Sequence, residues 1–83
     1  MDQPNTDPLT SSFLTLIKEI REEKGITREK LAQIAGVHKT TIGLLERKKR
    51  IPSLHVANLI AKALGTNLST LIKKSEKPRK KSK

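Results

Sequence analysis

Apolar side chains in this sequence recur three and four positions apart from Phe13 to Ile72, and no stretch alternates convincingly at period two. That spacing lines one face of a helix and leaves no half-buried strand from which to build a sheet. Phe13 is the single aromatic residue, and Trp, Tyr and Cys are absent. A chain of 83 residues has room for one domain. At this length only about 60% of the unfolded chain's surface can be buried, so the core must be aliphatic and closely packed. The sequence therefore predicts an all-α fold of five short helices.

The first helix carries the stripe Phe13, Ile17 and Ile20, widened by Leu14 and Leu16, with Ser11 or Ser12 as its cap and Gly25 beyond its end. Thr27 caps a second helix over 28–35 that turns Leu31, Ala32 and Ala35 inward, and Gly36-Val37 makes a short turn. A third helix over 39–47 buries Ile42 and Leu45, and a basic loop follows that Pro52 closes. Ser53 caps a fourth over 54–64, whose stripe is Leu54, Ala57, Ile60, Ala61 and Leu64. Gly65 ends it, Asn67 caps a fifth, and Leu68, Leu71 and Ile72 close the core. Residues 1–10, with Pro4 and Pro8, read as a flexible N-terminal arm. Residues 11–74 read as the folded domain. Residues 75–83, with eight Lys, Arg, Ser and Glu residues and one Pro but nothing to bury, read as a basic disordered tail.

The formal charge of +10 points to a polyanionic partner, most often nucleic acid. It is unevenly spread. Arg47-Lys48-Lys49-Arg50 places four bases in a row inside the folded region, and the segment 73–83 holds seven bases against one acid. The tail serves either as a solubilising end or as added phosphate affinity.

Small residues at Ala32 and Ala35, and Gly36 between the second and third helices, let two helices approach closely. The outer face of the third helix, Lys39, Thr40, Gly43 and Leu44, is left for solvent. This is the pattern of a helix-turn-helix, whose second helix enters the major groove. The chain resembles the Cro/CI-like (XRE) helix-turn-helix family of phage and bacterial regulators, which includes restriction–modification controller proteins and some antitoxins. The likeness rests on Ile26-Thr27-Arg28-Glu29-Lys30-Leu31-Ala32-Gln33, Ala35-Gly36-Val37, Thr41-Ile42 and Leu45-Glu46-Arg47. It continues through Arg50-Ile51-Pro52-Ser53-Leu54 and Ala61-Lys62-Ala63-Leu64-Gly65 into Leu68, Leu71 and Ile72.

The resemblance implies a compact lambda-repressor-like domain that binds a (pseudo)palindromic operator as a homodimer, in the cytoplasm of a bacterium or on behalf of a phage. It implies base reading by Lys39, Thr40, Gly43 and Leu44. Lys39 suits guanine O6/N7, and Leu44 or the Thr40 methyl suits a thymine methyl. Family members often carry larger polar groups at the positions of Gly43 and Leu44, so operator shape is expected to carry part of the specificity; Leu44 suits core packing or a dimer contact as well. Phosphate contacts are expected from Arg28, Gln33, His38, Arg47, Lys48, Lys49 and Arg50. A structural ion pair is expected between Arg21 and Glu46. A dimer interface is expected from Val56, Leu59, Thr66, Asn67, Leu68, Leu71 and Ile72.

Other chemistry finds no support in the residues. Without cysteine there are no disulfides, thiol nucleophiles or Cys-based zinc sites. His38 and His55 are far apart and lack a local acidic cluster, so no metal or other cofactor is expected. No Gly-rich phosphate loop, nucleophile elbow or paired carboxylates occur, and no enzyme is expected. No apolar run approaches the about 18 residues of a membrane span, and Met1-Asp2-Gln3-Pro4 is unlike a secretory leader. Two other readings stay open: an antitoxin-type protein-interaction module that also binds its own promoter, and a tail-driven nonspecific nucleic-acid binder.

Overall fold

A computed structural model describes residues 7–76 and contains five helices: α1 Pro8–Glu23, α2 Arg28–Ala35, α3 Lys39–Glu46, α4 Leu54–Ala63 and α5 Leu68–Glu76. Among the described residues no strand occurs, as the apolar spacing predicts. α1 packs on α5 and α3, α2 packs on α3 and α4, and α4 packs on α5. One core results, in which Leu14, Ile17, Leu31, Ile42, Leu45, Ile60 and Leu71 are fully buried. Leu16, Ile20, Val37, Leu59 and Leu68 cover its edges.

Short helices of this kind are marginal alone, so their ends matter. Thr27, Ser53 and Asn67 accept hydrogen bonds at 3.0, 3.0 and 3.2 Å from the backbone N–H groups of Lys30, Val56 and Thr70. Each occupies one of the first-turn donors that a helix cannot satisfy internally. Between α2 and α3 the chain reverses through Gly36, whose φ of 78° lies in the left-handed region. Its N–H and that of Val37 both donate to the Ala32 carbonyl, at 2.8 and 3.0 Å.

Three expectations are corrected. α1 begins at Pro8, inside the segment read as a flexible arm, and its cap is Asp7 rather than Ser11 or Ser12. The Asp7 carboxylate accepts from the Thr10 N–H at 3.0 Å, and Pro8 supplies a first residue that has no N–H to satisfy. At the other end α5 continues through Ser75 to Glu76, so the tail does not start at Ser75. Ser75 is buried and its hydroxyl donates to the Leu71 carbonyl at 2.7 Å, while Lys73 and Lys74 sit where a helix C-terminus favours cations. Residues 1–6 and 77–83, the rest of the expected arm and tail, lie outside the described residues. Leu54, expected in the α4 stripe, is 76% exposed at the first position of α4, where it borders a surface hollow rather than the core.

Candidate nucleic-acid interface

The segment joining α2 to α3 sets the site. Ala32 and Ala35 are buried and small, so α2 and α3 meet closely, and Ile42 and Leu45 fix α3 to the core. What α3 then turns outward is decided by its period: Lys39, Gly43 and Arg47 follow one another at i, i+4 and i+8, with Thr40 and Leu44 beside them. Lys39 and Thr40 are exposed and Leu44 is half-buried.

Gly43 is not part of that outer surface. It is buried beneath the Arg47 side chain, and a Cβ at position 43 would lie 3.4 Å from Arg47 Nη1. Helical side chains lean toward the N-terminus, so Arg47 falls back across position 43, and the missing side chain gives it room. The group presented there is the Arg47 guanidinium, which the sequence alone assigned to phosphate.

Past α3 the chain turns through Lys48, whose φ of 61° is in the left-handed region. The N–H of Lys48 donates to the Leu45 carbonyl at 2.9 Å and that of Lys49 to the Leu44 carbonyl at 2.8 Å. These two bonds close a Schellman-type end with a lysine where glycine is usual. They hold the start of the basic loop against the end of α3. Lys49 and Arg50 are exposed, as are Gln33 and His38 on the opposite side of α3's start. His38 is the N-cap of α3 but makes no side-chain cap bond.

Beneath this surface lies a three-membered ionic cluster. Arg21 donates to Glu46 through Nε at 2.7 Å and Nη2 at 3.1 Å, and its Nη1 donates to the Ile26 carbonyl at 2.7 Å. Arg28 Nε donates to the same carboxylate at 2.9 Å. The Glu46 side chain is 1% exposed, that of Arg21 10% and that of Arg28 43%. Burial pushes the Glu46 carboxyl up, but the hydrogen bonds and charges of Arg21 and Arg28 outweigh it and hold the group below its ordinary range. Arg28, expected only on phosphate, thus divides its guanidinium between the protein and solvent at the first turn of α2.

One contact has no signal in the sequence. Lys39 Nζ donates to Glu29 Oε2 at 2.9 Å, joining the first turns of α2 and α3. No spacing rule for helices or turns relates residues ten apart across a loop, so only the packing of α2 on α3 reveals it. The carboxyl of Glu29 is held below its ordinary value by the Lys39 hydrogen bond and charge. Arg28, Glu29, Lys39, Thr40, Gly43 and Arg47 together line a recess of about 340 Å³.

The expected dimer residues divide. Leu71 is fully buried within the protomer and is core, Val56, Leu59, Leu68 and Ile72 are half-buried, and Asn67 is exposed. The apolar surface exposed nearby includes residues that the sequence did not single out for contact. Leu9 and Ile51, 37% and 48% exposed, stand with Leu54 around a hollow of about 170 Å³ that Leu68 and Ile72 also line. Among the described residues no helix is long and apolar enough to cross a membrane, and no cluster of His, Asp and Glu is suited to a metal.

Two short helices packed through small residues, with a basic, outward-facing second helix, define a helix-turn-helix domain. The chain belongs to the helix-turn-helix family HTH_3, of the XRE type, which it matches over residues 17–71. It is 51% identical over 51 residues to an HTH-type transcriptional regulator of Methanothermobacter thermautotrophicus, covering 61% of this chain and 74% of that one. It is 38% identical over 56 residues to the control protein C.SmaI of Serratia marcescens, covering 68% and 67% of the two chains. The wild-type restriction-modification controller protein C.Esp1396I superposes with a TM-score of 0.77 at 31% identity, covering 84% of this chain and 91% of that one. A point mutant of C.Esp1396I bound to its highest affinity operator site has a TM-score of 0.74 at 34% identity, covering 87% and 100%. The chain is accordingly a DNA-binding transcriptional regulator of the helix-turn-helix class.

Proposed function

We propose that this protein regulates transcription by binding a (pseudo)palindromic operator as a homodimer, with α3 of each protomer in the major groove. The observation that carries the reading is the surface of α3, where Lys39, Thr40, Leu44 and Arg47 stand outward beside a loop that adds Lys48, Lys49 and Arg50. Polar and apolar groups on one side suit base edges, and the flanking cations suit the backbone. Arg28, Gln33 and His38 extend the phosphate-contacting set to the other flank of the groove. A C.Esp1396I mutant, similar in fold, is bound to an operator site, which supports operator binding by a chain of this fold.

A single small module buries too little DNA surface for high specificity, so two copies are required. The apolar rim of Leu9, Ile51 and Leu54, continuous with Leu68 and Ile72, supplies a face for self-association. Half-sites are then one helical turn, about 34 Å, apart.

Selection of bound duplexes from a random pool, followed by sedimentation equilibrium of the complex, tests the reading. Enrichment of one sequence with two related half-sites, bound by two protomers, supports it. Enrichment of no sequence, or a monomer on the operator at high micromolar concentration, contradicts it. With about six phosphate contacts per dimer, log K falls with log salt at a slope near −5.

A further inference from the structure

We infer that Glu29 is a specificity-determining positioning residue: its carboxylate keeps the Lys39 ammonium for base edges and away from phosphates. The inference rests on the operator reading above and concerns how α3 distinguishes one DNA from another.

Lys39 is the one basic side chain among Lys39, Thr40, Gly43 and Leu44, and its Nζ is held by Glu29 at 2.9 Å. Both side chains are well exposed, at 64% and 70%, so the pair adds little to the fold. Their position gives the contact its meaning. The pair spans the first turns of two helices and lies in the recess shared with Arg28, Thr40 and Arg47, where DNA must approach.

An ammonium has three donors, and Glu29 uses one of them. A guanine edge offers O6 and N7, two neutral acceptors, and these can join the remaining donors while Glu29 stays in place. A phosphate brings a second anion to the same ammonium and so meets the Glu29 carboxylate at close range. Like charges brought together raise the energy of that complex selectively. Nonspecific binding is almost entirely phosphate attraction and therefore loses most from Glu29. An operator with guanine beneath Lys39 loses least. A purely structural role, in which Glu29 only stabilises the positive N-terminus of α2, would leave the preference between two DNAs untouched.

The test compares the full chain with Glu29→Gln, Lys39→Gln and the double variant, on the selected operator and on a scrambled duplex of equal length and composition. Glu29→Gln tightens binding to the scrambled duplex by about three- to tenfold and to the operator by less than about twofold, so the ratio falls. The salt slope on scrambled DNA steepens by up to about two units per dimer, one for each released lysine. In the Lys39→Gln background the same change leaves the ratio nearly constant. An unchanged ratio in Glu29→Gln overturns the inference, and so does a fall of equal size without Lys39. If the wild-type chain enriches no sequence, the operator reading fails first and this inference falls with it.

Discussion

Arg21 and Glu46, 25 positions apart, meet through two hydrogen bonds, Nε to Oε2 at 2.7 Å and Nη2 to Oε1 at 3.1 Å. The pair ties the last turn of α1 to the last turn of α3, and Arg28 brings the first turn of α2 to the same carboxylate. Three helices are thereby fixed around one buried acid. Replacing Glu46 with Ala leaves a largely buried guanidinium without its partner and costs about 3–5 kcal/mol. Arg28→Ala removes a half-exposed partner and costs about 1 kcal/mol. Urea unfolding monitored by circular dichroism distinguishes the two; equal and small losses would show that the cluster does not hold the fold.

The same carboxyl gives a pH dependence of known sign. Its folded pKa lies below the ordinary glutamate value of 4.5, so the unfolded chain binds the proton more readily. The stabilisation is complete above that value and is lost as pH falls from 4.5 through the lower folded pKa. Melting temperature should drop over that acid window in the wild type. In Glu46→Gln the acid-side drop should be shallower, starting from a lower plateau.

Two left-handed residues respond to opposite changes. At Gly36, φ 78°, no atom lies within 4 Å of an added Cβ, so Gly36→Ala suffers backbone strain alone, about 1–2 kcal/mol. Lys48, φ 61°, already bears that strain. Lys48→Gly should therefore be more stable than Lys48→Ala by about 0.5–1 kcal/mol, with the charge lost equally in both. Paired chemical denaturation curves measure the difference.

The early start of α1 is tested at its cap. Asp7→Ala removes the acceptor for the Thr10 N–H and should cost about 1 kcal/mol. Ser11→Ala, three residues into the helix from Pro8, should change stability by less than about 0.5 kcal/mol. The reverse order would return the helix start to Ser11.

Self-association is tested at Leu54, which at 76% exposed contributes little to the core. Leu54→Gln should weaken dimer formation by at least about tenfold while leaving the melting temperature of the monomer nearly constant. Sedimentation velocity across a concentration series reads the first quantity, and a melt at the lowest concentration reads the second.

Local sequence determined the helices, because a period near 3.6 and the caps Thr27, Ser53 and Asn67 act within a few residues of where they stand. It also marked the turn at Gly36 and the basic stretch 47–50. One further local signal, Asp7-Pro8, lay in plain view, but the neighbouring Pro4 and the polar Thr10-Ser11-Ser12 run masked it. The pairing of Arg21 with Glu46 came from family resemblance, and no spacing rule would have produced it. Tertiary packing alone decided that Arg28 shares Glu46, that Glu29 holds Lys39, and that Leu54 stands outside the core. It also set Arg47 across Gly43, a result of how a whole side chain leans along α3. The division has a physical cause. Backbone hydrogen bonding and capping are satisfied by near neighbours, whereas the direction of a charge or an apolar group is settled by which helices pack against its own.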